Sequence, residues 1–210
     1  MVAGWNQGEM LLLTASIIII LGIFEVHFKR SFQLLPTTIF KGDLDNLLLK
    51  PVDSQFMISF ISFKVMGVWR FIIGIVFLWY VIHTYHIQIT IEHAVSYFGL
   101  LLVGSIMYYT LWFAVSTLLI WNPRLSNLLD VMNSMNHASR FPPEMYKEFN
   151  TLLFFVLLPY MVLVSVPVKV LLGKAGFQDV LVLLSLAVVM FMGTRMFWKF
   201  SLKYYTSASR

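Results

Sequence analysis

Five apolar segments, separated by short polar stretches, fill most of this chain and limit what it can fold into. An α-helix needs about 20 apolar residues to cross the hydrocarbon core of a bilayer. Open strands and lipid-exposed loops are excluded there, because their unpaired backbone groups cost several kcal/mol each. The segments lie roughly at residues 8–28, 65–85, 94–121, 151–173 and 180–200. The expected fold is all-α: a polytopic membrane helix bundle of about five transmembrane helices, in one transmembrane domain over residues 1–210. Composition agrees, since only 12% of the residues are charged, where soluble domains carry about 25%.

Orientation follows from the basic side chains. No Lys or Arg precedes Lys29, so the first apolar run, Met10 to Phe24, lacks the basic start of a signal peptide and reads as a membrane span. Lys29, Arg30, Lys41, Lys50, Lys64, Arg70, Arg124, Arg140, Lys147, Arg195, Lys199, Lys203 and Arg210 all fall on one side of a five-span arrangement. Lys169 and Lys174 fall on the other. The positive-inside rule then puts the N-terminus outside and the C-terminus in the cytoplasm. A multi-pass protein of the cell membrane is expected.

That orientation makes residues 29–64 a cytoplasmic loop, and its centre is unlike the rest of the chain. Phe40-Lys41-Gly42-Asp43-Leu44-Asp45-Asn46-Leu47-Leu48-Leu49-Lys50-Pro51 holds a turn, a cap, a short amphipathic helix and a stop. Gly42 suits a left-handed turn, and Asp43 or Asp45 can cap the helix after it. Leu44, Leu47 and Leu48 share one helical face, and Pro51 pushes Lys50 out of helical geometry. The stretch is a candidate docking surface, although a helix resting on the membrane would carry the same pattern. After it, Gln55, Ser59 and Ser62 make a thin polar stripe on a helix expected to lie along the interface.

Motifs for chemistry are absent. Gly173-Lys174 has neither the spacing nor the hydroxyl of a P-loop, so the chain does not bind nucleotide through one. No G-x-S-x-G, H-E-x-x-H or intramembrane Asp pair occurs, and without cysteine there is no disulfide or thiolate site. Every Asp and Glu reads as lying in a loop or at a segment end, which argues against an ion-coupled carrier. His83, His86 and His93 gather with Glu92 around the outer loop, but interfacial histidines are common and no i, i+4 ligand pair occurs. No metal or cofactor is assigned. Arg70 and Arg195 are read as snorkelling from apolar runs to the membrane surface. Trp79-Tyr80 and the run Tyr108 to Trp112 are read mainly as packing or belt residues. Pro159 and Pro167 mark a helix break near the outer face.

These residues resemble a family. Phe40 to Asp45 through Leu49-Lys50-Pro51 is similar to the "G-x-L-D-x-x-L-L-x-P" segment of the six-helix permeases of ABC-2-type transporters. Arg140-Phe141-Pro142 before a helix, Pro159 and Pro167 in the next segment, and the terminal Lys203 to Ser209 follow the same pattern. The resemblance implies one permease half of an ATP-driven exporter, not itself an enzyme. It would pair with a second permease subunit, as a homodimer or a sister heterodimer, and receive separate cytoplasmic ABC ATPase subunits. Gly42, Asp43, Leu44, Asp45, Leu47, Leu48, Lys50 and Pro51 would dock the ATPase, with the three leucines inserted into its groove. Besides these, the lipid bilayer is the expected surrounding, and no nucleic acid is expected. Members of the family usually carry another span before Met10 to Phe24, so a shortened form or an upstream start is expected. A non-transporting membrane sensor or scaffold, recruiting a cytoplasmic partner through residues 40–51, is the alternative.

Overall fold

A computed structural model describes residues 5–121, 127–135, 140 and 151–205, with side chains of 151–157 outside the description. Asn122-Pro123-Arg124, the segment Phe141 to Tyr146 and the tail from Thr206 therefore lie outside the described residues. The chain is an all-α bundle with no strand among the described residues. Its helices are α1 (Gln7–Phe24), a π turn (Glu25–Lys29), α2 (Arg30–Phe40), α3 (Asp43–Leu48), α4 (Ser54–Ser59), α5 (Met66–Thr84), α6 (Ile91–Leu118), α7 (Asn127–Met135), α8 (Thr151–Leu171) and α9 (Phe177–Leu202). Four stretches among the described residues are long and apolar enough to cross a membrane: Gln7–Phe40, α5, α6 and α9.

The first of these departs from expectation. Helix continues without interruption from Gln7 to Phe40, 34 residues in all, so the first third of the anticipated loop is helical. At 1.5 Å per residue this is about 50 Å, well beyond the ~30 Å hydrocarbon core. α1 alone is 18 residues long, about 27 Å, so the π turn falls near one membrane boundary and α2 projects past it. At the other end Asn6 caps α1 and Glu9 reaches back to the Asn6 N–H, 3.0 Å away. Lys174 in the α8–α9 turn pairs with the same Glu9.

α1 and α6 are the inner helices and α5 and α9 the outer ones. Of the most apolar window in each, 50% of Gln7–Phe40 and 44% of α6 are buried, against 22% of α5 and 17% of α9. α6 touches α1, α8 and α9, while α5 lies along α1. Lipid is as apolar as a leucine side chain, so helices associate in it through close packing. A Cβ on Gly67 of α5 would meet the Val26 amide nitrogen at 2.5 Å, and one on Gly74 the Ile19 nitrogen at 2.9 Å. From the α1 side, a Cβ on Gly22 would meet Phe71 backbone at 2.6 Å. The pairings step in opposite directions along the two helices, which makes the seam antiparallel.

α8 is one helix with Pro159 and Pro167 inside it, rather than two helices separated at the prolines. Proline removes the hydrogen bond to the carbonyl four residues earlier. For Pro167 that carbonyl belongs to Leu163, and its oxygen lies against Gly104 of α6, 2.6 Å from where a Cβ would stand. Packing from a neighbouring helix lets a membrane helix tolerate the missing bond.

At the end rich in Lys and Arg, aromatic rings fill the space among α1, α2, α6 and α9. Phe24 meets Tyr108 edge-on at 4.7 Å, Phe28 lies 4.8 Å from Tyr109, and Phe113 meets Trp198 at 5.2 Å. Tyr108 and Trp112 are fully buried, as packing residues should be, whereas Trp79 and Tyr80 point outward from α5. These rings form the floor on which α2, α3 and α4 rest.

Candidate functional site

The stretch from Phe40 to Pro51 folds back at Gly42, whose φ of +77° is the left-handed conformation that only glycine adopts without steric cost. Gly42 itself occupies the position before α3. Asp43 and Asp45 sit in the first turn without a side-chain capping bond, where their charge still favours the positive end of the helix. The helix ends at Leu48, ahead of the turn closed by Val52 N–H donating to the Lys50 carbonyl at 2.8 Å.

The leucine face expected to project is turned inward. Leu44 is completely buried, and Leu47 and Leu48 are half-buried against the same core. The reason is the ordinary one for an amphipathic helix: its apolar stripe finds the protein's own floor first. The stretch exposes different side chains. Phe40 is 79% and Leu49 84% exposed, with Val52, Asp43, Lys50 and Pro51 also on the surface and Gly42 and Asp45 half-buried. Phe40 and Leu49 went unnoticed in the sequence because neither belongs to the stripe; one ends α2 and the other follows α3.

Beyond Pro51 the chain is fastened down. Asp53 caps α4 by accepting the Phe56 N–H at 3.2 Å, and it receives Arg195 of α9 in a two-pronged pair at 3.1 and 2.6 Å. Arg195 also donates to the Gln55 side-chain oxygen at 3.1 Å, and the Gln55 amide donates to the Tyr109 hydroxyl of α6 at 3.1 Å. Ser59 shares a hydrogen bond with that hydroxyl at 2.8 Å, and Trp198 of α9 donates to Ser54 at 2.9 Å. The guanidinium hydrogen bonds hold the Asp53 carboxyl below its usual range, the Phe56 N–H adding to them and partial burial opposing. Arg195 thus binds α4.

The polar stripe of Gln55 and Ser59 faces Tyr109 rather than the membrane surface, and the helix carrying it covers only Ser54–Ser59. Past it the chain returns to the π turn and α2. Ser62 N–H donates to the Ser31 hydroxyl at 3.1 Å, and Lys64 N–H to the Val26 carbonyl at 3.1 Å. The C-terminal end of α9 also meets α3: the Tyr205 phenol is pushed up by burial and then by the neighbouring Asp45 carboxylate.

Arg70 likewise has a carboxylate partner. It pairs with Glu25 at 2.7 Å, and Lys29 pairs with the same Glu25 oxygen. Glu25 was expected at a segment end; it stands inside the continuous Gln7–Phe40 helix, with a side chain only 14% exposed. At the opposite end, the His83 and His86 rings lie 6.4 Å apart and His93 rests against Gly173. Among the described residues no group of three His, Cys, Asp or Glu stands close enough to hold a metal.

The arrangement is a platform. α3 and its flanking loop present exposed apolar and charged side chains, while α4 is stapled to α6 and α9, two helices long enough to cross the bilayer. From Leu49 the chain runs directly into α4, whose side-chain hydrogen bonds reach both. No curated protein matches this chain, and no solved structure does. A family model described as "ABC-2 family transporter protein" matches residues 1–209.

Proposed function

Because the chain belongs to the ABC-2 family of transporter proteins, we propose that it is the membrane half of an ATP-driven exporter whose α3 platform docks a separate ATPase subunit. The family makes it a permease component of an ABC transporter, a multi-pass membrane protein and not itself the catalyst. The proposal adds the direction of transport, the cell membrane as its location, the cytoplasmic side for the platform and the partners. Those partners are two ATPase subunits and a second permease subunit.

The observation that carries the reading is the stapling of α4, next to an exposed Phe40–Leu49 surface, onto α6 and α9. A docked ATPase that changes shape on hydrolysis needs a connection into the spanning helices, and side-chain pairs from three elements supply one. In this reading Phe40 and Leu49 are the apolar anchors. Asp43, Asp45 and Lys50 orient the partner through charge at the rim. Gly42 and Pro51 set the two bends, and Leu44, Leu47 and Leu48 hold the platform from beneath.

Copurification with a candidate ABC ATPase subunit tests this. Truncating a buried apolar anchor costs on the order of 2 kcal/mol or more, so Phe40→Asp with Leu49→Asp should weaken the complex at least tenfold and remove stimulated ATP hydrolysis. Unchanged complex formation and hydrolysis would sink the docking assignment. Capture of a partner that is not an ATPase would favour the scaffold reading.

A further inference from the structure

Beside the platform, but independent of it, the π turn lines a cleft of about 220 Å³ between α1, α5 and α6. Its apolar floor includes Leu21 and Phe24, and its walls carry Glu25, Lys29, Arg70 and Arg140. Three cations thus face one carboxylate among the described residues. Glu25 draws Lys29 and Arg70 onto a single oxygen, at 2.5 and 2.7 Å, which fixes both cations at the cleft wall. That carboxylate offsets one of the three positive charges, which leaves the described lining net positive. A π turn in an otherwise α-helical span is itself a feature that gathers at functional sites.

Position narrows the ligand. Counting from Gln7, Glu25 lies about 27 Å along the helix, which is the level of the lipid headgroups if α1 fills the hydrocarbon core. The face of α5 beside Arg70 is apolar and bare: Trp69 is 67% exposed and Ile73 58%. A ligand with an anionic head and a hydrocarbon tail would therefore find cations and grease in the right order. Guanidinium groups favour phosphate because their planar N–H forks match its oxygens.

We propose that this cleft binds a phosphate-bearing anion at the membrane surface, held by Arg70 and Arg140 with Lys29 beside them. The phosphate belongs either to an anionic phospholipid or to a soluble ligand, and the test separates the two. The inference goes beyond the transport reading and does not depend on it, since the measurement uses the full chain without an ATPase.

The chain is purified in mild detergent and titrated with phosphatidylglycerol, phosphatidylcholine and inorganic phosphate. Bound lipid is followed by native mass spectrometry and by the shift in melting temperature. Retention of phosphatidylglycerol over phosphatidylcholine, not displaced by millimolar phosphate, supports the lipid source. Displacement by phosphate supports the soluble one. In either case Arg140→Gln and Arg70→Gln should each weaken binding about tenfold, and Arg70→Lys should restore part of it. Arg140→Gln leaves the Glu25–Arg70 pair in place, so it remains informative even where Arg70→Gln impairs folding. Equal retention of both lipids with no response to phosphate, or wild-type binding by Arg140→Gln and Arg70→Gln, overturns the proposal.

Discussion

The seam between α1 and α5 and the staple that holds α4 to α6 and α9 are both helix contacts, yet they are built from opposite materials. In the seam, Gly22, Gly67 and Gly74 bring backbone against backbone, with Arg70 meeting Glu25 at one end and Tyr85 lying against Gly8 at the other. In the staple, Asp53, Ser54, Gln55 and Ser59 meet Tyr109, Arg195 and Trp198 through hydrogen bonds, with partly exposed members. The difference follows from the surroundings. Inside lipid there is no hydrophobic drive between helices, so close approach is the available adhesive. At the wet end, polar pairs can exchange with water at small net cost. The seam is therefore a fixed contact, and the staple is one that can open. If the molecule moves in a transport cycle, the motion should pass through the staple and leave the seam unchanged.

The largest effect should come from breaking the seam. In Gly67→Leu the new Cβ would stand 2.5 Å from the Val26 nitrogen. Backbone cannot yield there as a side-chain tip would, so α5 must move off α1. Overpacking of this kind costs up to about 3 kcal/mol, or more where the backbone cannot relax. Thermal unfolding in detergent should show a drop of many degrees or a loss of folded protein. A melting temperature within a degree of wild type would mean that the seam is looser than its geometry.

The staple should fail more gently and more locally. Gln55 is 4% exposed and bridges Arg195 to Tyr109, so Gln55→Leu leaves two polar groups short of a partner. The cost should be roughly 1–3 kcal/mol. Hydrogen exchange should rise across α3 and α4 while α1 and α5 stay protected. An equal rise in α1 and α5 would show that the two regions are not separable.

How much of this was legible beforehand differs between the two regions in the same way. Apolar segment length is a one-dimensional property, so the all-α polytopic bundle could be read directly from residues such as Met10 to Phe24 and Val180 to Phe200. The turn at Gly42 was legible because a left-handed residue needs glycine. The direction of the Leu44 stripe was not, since periodicity states which side chains share a face and says nothing of what the face meets. The ion pairs of Arg70 and Arg195 are not legible for a related reason. Their partners, Glu25 and Asp53, are 45 and 142 positions away in the chain, and no local pattern links them. The seam glycines carry no signal by themselves, because only the approaching helix makes them necessary.

The smallest effect should separate the staple's charge from its other bonds. Arg195 and Asp53 are 37% and 42% exposed, so screening by water and salt limits their pair to about 1 kcal/mol or less. Folding lowers the Asp53 pKa chiefly through the Arg195 hydrogen bonds. A carboxyl lowered in this way adds stability that is complete above its unfolded pKa, near 4, and that fades as pH falls through the lower native value. Gln55 also binds Arg195, so the pair is isolated by a double-mutant cycle of Asp53→Asn, Arg195→Gln and the two together. At pH 7 the coupling should be several tenths of a kcal/mol in low salt and smaller in ~1 M salt. It should shrink as pH falls through the lowered native value of Asp53. A seam variant away from the Glu25 pair, Gly74→Leu, should keep its deficit over the same range, since the atoms nearest that position belong to Ile18 and Ile19. A coupling that survives acid and salt unchanged would place the worth of the Arg195 contact in packing, and the staple would then be as fixed as the seam.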